Sequence, residues 1–235
     1  MSDSPVALVT GGGSGIGAAV ARQLLGAGYR VAVTGRSEER LRGFAAELGE
    51  PEGLLAIAGD TAEYAQVCGA VEATVAAFGR LDTVVANAGF ASPGARSLVD
   101  GDTDGWAEMV LTNVLGPALL IRASVDALKA TRGRIVLVGS VAGFVHSPGN
   151  LYGATKWAVT GLAESTRLAV AEFGIGVTLI APGRVETPFW DGLGGVPEGR
   201  LLTADQIADS VVWAVRQPDG VDVNTVIVRP LGQLI

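Results

Sequence analysis

A doubly wound parallel sheet with helices on both faces is the fold class that this sequence predicts, and three observations predict it. Seven short apolar runs, at residues 6–9, 30–34, 54–58, 83–86, 134–138, 177–181 and 223–228, have the length of buried strands. Stretches of helical periodicity separate them, the alternation that gives a parallel sheet with right-handed crossovers. Small residues and glycines close several of the runs, where ligands sit in such sheets.

The first run ends in Thr10-Gly11-Gly12-Gly13-Ser14-Gly15-Ile16-Gly17, followed by an apolar stripe of Ile16, Val20, Leu24 and Leu25. Strand, glycine turn and helix N-terminus together form a receptor for a pyrophosphate. After the second run comes Gly35-Arg36-Ser37. An acidic residue there would bind a ribose 2′-hydroxyl, whereas the Arg36 fork suits a 2′-phosphate, so NADP(H) is favoured over NAD(H). A solvated turn is the plainer role for Arg36. Ser37 can cap a helix running to about Leu48.

The third run leads to Asp60-Thr61-Ala62-Glu63, read as a capping box for a helix that reaches Phe78. Asp60 could also accept a hydrogen bond from an adenine amino group. Run four closes on Asn87-Ala88-Gly89. Residues 103–129 read as a long helix kinked at Gly116-Pro117, with the polar Asn113 just before the break. The fifth run delivers Gly139-Ser140, and the next helix extends to about Phe173. Pro182-Gly183-Arg184-Val185-Glu186-Thr187 follows run six. Thr203-Ala204-Asp205-Gln206 is a capping box for a helix through Val215. No repeat or linker divides the chain, so residues 1–235 are expected to form a single nucleotide-binding domain.

Composition restricts the function. The 235 residues are 49% hydrophobic and 17% charged, with net charge −7, mean hydropathy +0.40 and pI near 4.8. Scattered charges and an acidic balance argue against nucleic acid as a partner. A lone cysteine, Cys68, allows no internal disulfide, and a lone histidine, His146, leaves no metal cluster. The N-terminal five residues lack the regions of a signal peptide, and the charge-free run 135–155 is too broken to span a membrane. A cytoplasmic, soluble protein is expected.

Chemistry concentrates in Tyr152-Gly153-Ala154-Thr155-Lys156, with Ser140 twelve residues upstream. On a helix, Tyr152 and Lys156 stand one turn apart on one face. A nearby ammonium favours the phenolate, and bringing a phenol from its ordinary value to neutrality takes roughly 3 pH units, or about 4 kcal/mol. A tyrosine so tuned serves as a general acid or base.

Taken together, these stretches resemble the short-chain dehydrogenase/reductase family across essentially the whole chain. The resemblance implies a Rossmann-type fold and a carbonyl–alcohol oxidoreductase, with Tyr152 as general acid/base. It further implies that Ser140 orients the substrate oxygen, that Lys156 lowers the tyrosine pKa and binds a ribose, and that Asn113 holds a relay water. Cofactor contacts are implied at Gly11, Gly13, Ser14, Gly15, Ile16, Gly17, Arg36, Asp60, Thr61, Asn87, Ala88, Gly89, Tyr152, Lys156, Pro182, Gly183, Val185 and Thr187. Family members usually place the serine thirteen residues before the tyrosine. Here Gly139 holds that position, and a one-residue deletion in the loop 144–151 leaves Ser140 as the counterpart. Residues 188–202 correspond to the family's substrate lid.

Phe189, Trp190 and Leu193, with Phe90, Val141, Phe144, Val145 and His146, suggest a mostly apolar pocket, with His146 at its rim and Arg184 as a cation for a substrate carboxylate. The Gly149–Lys156 stretch and the chain ending look like the hydroxy-acid dehydrogenase branch. Homodimer or homotetramer is implied by the family alone. The rival readings are an NAD(H)-dependent dehydrogenase, a nucleotide-binding sensor or scaffold without turnover, and a hydrolase, the last opposed by the lack of GxSxG.

Overall fold

Strands β1 (Val6–Thr10), β2 (Arg30–Gly35), β3 (Leu54–Ala58), β4 (Thr83–Ala86), β5 (Arg134–Val138), β6 (Gly176–Pro182) and β7 (Thr225–Val228) form one sheet in the order β3-β2-β1-β4-β5-β6-β7. Every adjacent pair is parallel. The computed structural model describes residues 4–233, and the first three residues of the N-terminal stretch read above lie outside them. β1 and β4 are adjacent although β2 and β3 intervene in sequence, so connections leave the sheet in opposite directions at that pair. A crevice opens there beyond the carboxyl ends of the strands.

Among the described residues, the α-helices on the two faces are α1 (Gly15–Gly26), α2 (Glu38–Glu47), α3 (Tyr64–Phe78), α4 (Trp106–Val110), α5 (Gly116–Thr131), α6 (Leu151–Val170) and α7 (Ala204–Val215). Alternate residues of a strand point to opposite faces, so one strand serves both layers. Ala7 and Val9 of β1 pack with Val20 and Leu24 of α1 and with Ile207 and Val211 of α7. Val6 and Leu8 face the other way, toward Val67 of α3, Leu120 of α5 and Val159 of α6. All five residues of β1 are buried, whereas the edge strands β3 and β7 are partly exposed. This accounts for the continuous apolar runs, since a strand covered on both faces has no polar side to show.

Helix starts follow from their caps. Ser37 Oγ accepts the Arg40 amide at 3.2 Å, and Asn150 Oδ1 accepts the Gly153 amide at 2.9 Å, which fixes the first turn of α6. The box at Thr203 is closed in both directions, with Gln206 Oε1 accepting the Thr203 amide at 2.9 Å and Thr203 Oγ1 the Gln206 amide at 3.2 Å.

Two expectations are corrected. Asp60 does not start α3: its Oδ1 accepts the Ala62 amide at 2.9 Å in a tight turn. Glu63 is the N-cap residue and makes no side-chain cap bond. The backbone amide of Asp60 instead donates to Gln66 Oε1 at 2.9 Å, so the turn is tied to the helix by a residue that the pattern did not single out. The break in the long helix also lies earlier than Gly116-Pro117. It is a π-helical turn over Leu111–Leu115, after which α5 begins with Pro117 in its first turn. The widened turn frees carbonyl groups ahead of Pro117, which has no amide hydrogen to offer them. By length and composition the helix Trp106–Thr131 could cross a bilayer, but its inner face packs on α3 and β4.

Replacing Leu8, which is fully buried under α3 and α5, by Ala should lower the unfolding free energy by about 2–5 kcal/mol. Urea titration measures it, and a loss under about 1 kcal/mol would contradict the two-layer packing described above.

Candidate active site

The crevice contains a cavity of about 1020 Å³ lined from the carboxyl ends of the strands. Its floor depends on contacts too close for side chains. Gly11 and Gly15 have φ of +64° and +52°, a region that favours glycine. A Cβ on Gly17 would lie 2.3 Å from the Gly11 carbonyl oxygen and 2.5 Å from Asn87 Nδ2. Asn87 Nδ2 donates to the carbonyls of Thr10 at 2.9 Å and Gly11 at 3.3 Å. Thr10 Oγ1 in turn accepts the amides of Asn87 and Ala88, both at 3.1 Å. The ends of β1 and β4 are thereby cross-tied. Asn87 was expected to contact cofactor; its amide hydrogens are committed to the glycine turn. Gly13, Ser14, Gly15 and Ile16 line the cavity at the start of α1, where Ser14 makes no side-chain cap bond. Amide groups and helix dipole at that end suit an anion.

Around this floor lie Arg36, Asp60, Thr61, Ala88, Gly89, Pro182, Gly183, Val185 and Thr187. Thr187 packs on the glycine turn, 3.4 Å from where a Cβ of Gly15 would stand. Val185 forms a bridge with Leu202, which closes the base of the 188–202 loop.

At the far end, Tyr152 and Lys156 project from α6 and Ser140 from the end of β5. Ser140 is extended, its Oγ accepts the Ala142 amide at 3.1 Å, and its hydroxyl stands close enough to Tyr152 to favour the phenolate. The twelve-residue spacing is therefore accommodated. A helical turn, Val141–Gly143, carries the chain from Ser140 onto α6. The contact is close: a Cβ on Gly143 would lie 2.6 Å from the Lys156 carbonyl oxygen. Gly139 could not stand in for the serine, because a Cβ there would point at Leu179 Cδ1, 2.9 Å away.

Lys156 is 6% exposed, and its Nζ donates to the Val138 carbonyl at 3.1 Å. The ammonium lies 5.8 Å from the Tyr152 ring centroid. Burial, with no carboxylate in answer, lowers the lysine to about 8. The phenol departs from the expected direction: burial pushes it up to about 12, and the Ser140 hydrogen bond only partly offsets this. Removal from water disfavours the charged form of each group. As placed here, Tyr152 holds its proton at neutral pH and can donate it.

Asn113, 1% exposed, sits in the π turn. Its Oδ1 accepts the Phe90 amide at 3.0 Å, and its Nδ2 donates to the Phe90 carbonyl at 2.9 Å and to Thr155 Oγ1 at 3.1 Å. Both amide hydrogens are committed, so Asn113 clamps the end of β4 to α6. A water held by this side chain would have only the second lone pair of Oδ1.

Phe90, Val141, Val145, Phe189, Trp190 and Leu193 line the cavity. The Phe189 ring lies 5.6 Å from that of Tyr152, and Trp190 Nε1 donates to the Val185 carbonyl at 2.7 Å. His146 is not among the lining residues; it stacks on Trp157 at 5.3 Å. Phe144 turns away as well and packs on the core. Arg184 lines the cavity, with Nη1 donating to the Glu198 carbonyl at 3.3 Å. Of the further lining residues not singled out from the sequence, two tie the cavity wall together. Arg96 donates to the Leu193 carbonyl at 3.3 Å, and Gln233 accepts the Arg184 amide at 2.9 Å. Neither belongs to a motif, and only the tertiary fold brings them in.

A nucleotide-sized crevice with a hydroxyl–phenol–ammonium cluster at one end defines an oxidoreductase site of Rossmann type. Residues 5–194 match the short chain dehydrogenase family, and the chain belongs to it. An uncharacterized oxidoreductase of Staphylococcus epidermidis is 35% identical over 228 residues, covering 96% of this chain and 97% of its own. Another, from Staphylococcus aureus, is 31% identical with the same coverage. Among solved structures, an alcohol dehydrogenase from the archaeon Thermococcus sibiricus complexed with 5-hydroxy-NADP superposes with TM-score 0.87, 30% identity and 98% coverage of both chains. The 3-ketoacyl-(acyl-carrier-protein) reductase of Brucella melitensis complexed with NADH gives 0.86, 28% and 96% of both.

Lys156 binds its proton less tightly folded, at about 8, than at its ordinary 10.5. Between those values the unfolded chain holds more protons, so stability rises with pH across the window, by about 3 kcal/mol in full. The unfolding free energy of the wild type relative to Lys156→Met should grow by that amount from pH 8 to 10.5. A pH-independent difference would contradict the desolvation of Lys156.

Proposed function

We propose that this protein is an NADP(H)-dependent oxidoreductase that interconverts a carbonyl compound and a secondary alcohol, acting mainly as a reductase. The observation that carries the reading is the meeting of Ser140, Tyr152 and Lys156 in the cavity that the glycine turn opens, with Tyr152 and Lys156 on one face of α6. When bound, a nicotinamide cofactor supplies the hydride. The residues of the chain do the rest. Gly13 to Ile16 and the α1 N-terminus would receive the pyrophosphate, Pro182 to Thr187 would flank the nicotinamide, and Arg36 would meet a 2′-phosphate. Ser140 would donate a hydrogen bond to the carbonyl oxygen while Tyr152 delivers the proton that makes it a hydroxyl. Lys156 would restore the balance of charge beside the phenol and hold a ribose hydroxyl.

Arg36 supports NADP(H) because it stands where an acidic residue would bind a 2′-hydroxyl, and Gly35-Arg36-Ser37 itself carries no carboxylate to repel a phosphate. The complexes of the two solved relatives, one with an NADP derivative and one with NADH, leave that choice to this chain's own residues. The aromatic and aliphatic lining of the cavity favours carbonyl compounds with an apolar body. A homodimer or homotetramer belongs to the proposal, supported by Val110, Leu111, Leu115, Trp157 and Leu168, which are large apolar side chains left exposed. So does a cytoplasmic setting, in keeping with a lone thiol.

Tyr152→Phe should reduce turnover of a carbonyl substrate by about 10²–10⁴-fold while nucleotide affinity changes little; retained turnover would remove Tyr152 from the mechanism. Arg36→Ala should weaken NADPH by about tenfold or more, the worth of a charged hydrogen bond, and leave NADH nearly unchanged. Equal effects on both nucleotides in fluorescence titrations would contradict the 2′-phosphate assignment.

A further inference from the structure

Arg36 does not wait free at the adenosine end of the crevice. Its Nη1 is paired with Glu108 Oε1, a residue 72 positions away on α4. Its guanidinium also lies 6.0 Å from the centroid of Phe90, just past the end of β4. Glu108 stands one helical turn before Thr112, which lines the cavity together with Arg36 and Phe90. The pair therefore runs from the β2 end, past Phe90, to α4.

We propose that Glu108 is a positioning residue for cofactor choice: its carboxylate is an internal competitor for the Arg36 guanidinium, which must leave it to receive a 2′-phosphate. This rests on the reading of Arg36 given above. The chemistry of competition is direct. A carboxylate and a phosphate monoester both present oxygens to the same fork of donors, and Arg36 cannot aim one face of that fork at both. A nucleotide with a free 2′-hydroxyl gives Arg36 no charge for which to exchange, so its binding does not require the pair to open. Glu108 thus lowers the preference for NADP(H) over NAD(H) that Arg36 alone would give. The size of the effect is set by exposure. The side chains are 58% and 52% accessible, and pairs so placed are worth a small factor, about two- to fivefold in an equilibrium constant.

The experiment is a set of NADPH and NADH titrations on the wild type, Glu108→Gln, Arg36→Ala and the double variant. Thermal unfolding runs alongside to show that each is folded. Glu108→Gln should tighten NADPH about two- to fivefold and leave NADH unchanged, and it should have no effect in the Arg36→Ala background. No change for either nucleotide, an equal change for both, or an effect that persists without Arg36 would overturn the competition. In those cases a selective loss of NADPH affinity in Arg36→Ala would still uphold the 2′-phosphate reading. An equal loss of both nucleotides in Arg36→Ala would remove that reading, and the inference with it.

Discussion

The close approach of β1 to β4 is the constraint on which the rest of this structure depends. Thr10 and Asn87 hold the two strand ends together with four side-chain hydrogen bonds of 2.9–3.3 Å. Gly17 must lack a side chain for α1 to fit against them. Both partners sit where the sheet reverses its order, so the same tie that closes the core also opens the crevice. Each bond adds only about 1 kcal/mol in isolation. Their importance is geometric. They fix the start of α1, the end of β4 and, through the Phe90–Asn113–Thr155 clamp, the first turns of α6 in one frame.

Within that frame, Tyr152 and Lys156 are placed where burial disfavours charge on both. The sequence suggested a lysine that lowers the phenol pKa toward neutrality. In the folded chain desolvation wins, because both groups are buried and the Ser140 hydroxyl offsets the cost to the phenolate only in part. The consequence is a phenol that keeps its proton at neutral pH beside a lysine that holds its own less tightly than usual.

Much of this was legible in the residues. Every apolar run contains a strand, the central ones because they are covered on both faces, and the caps at Ser37 and Thr203 were readable because capping is a local matter of three or four residues. What failed was non-local or close to degenerate in pattern. Asp60 and Glu63 have the spacing of a capping box, but the Asp60 turn takes its amide partner from Gln66, and α3 starts later. Gly116-Pro117 announced a break, yet the π turn lies ahead of them, since proline disturbs the turn before it. His146 looked like a rim residue from its loop, and only the fold shows Trp157 beneath it. Asn87 lines the cavity, and only the fold shows that its side chain also holds the strand end in place. The Arg36–Glu108 pair, and the Arg96 and Gln233 contacts with the 188–202 loop and the segment after β6, join distant parts of the chain and leave no motif.

The most direct test of the central claim is isotope transfer. The purified protein would be incubated with NADPH carrying deuterium at C4 and with aldehydes, keto acids, keto esters and bulky ketones, the products being read by mass spectrometry. The account predicts an alcohol bearing one deuterium on the former carbonyl carbon, formed in step with NADPH consumption by the wild type. Tight binding of NADPH with no deuterium delivered to any carbonyl would contradict it and favour a protein that binds the nucleotide without chemistry.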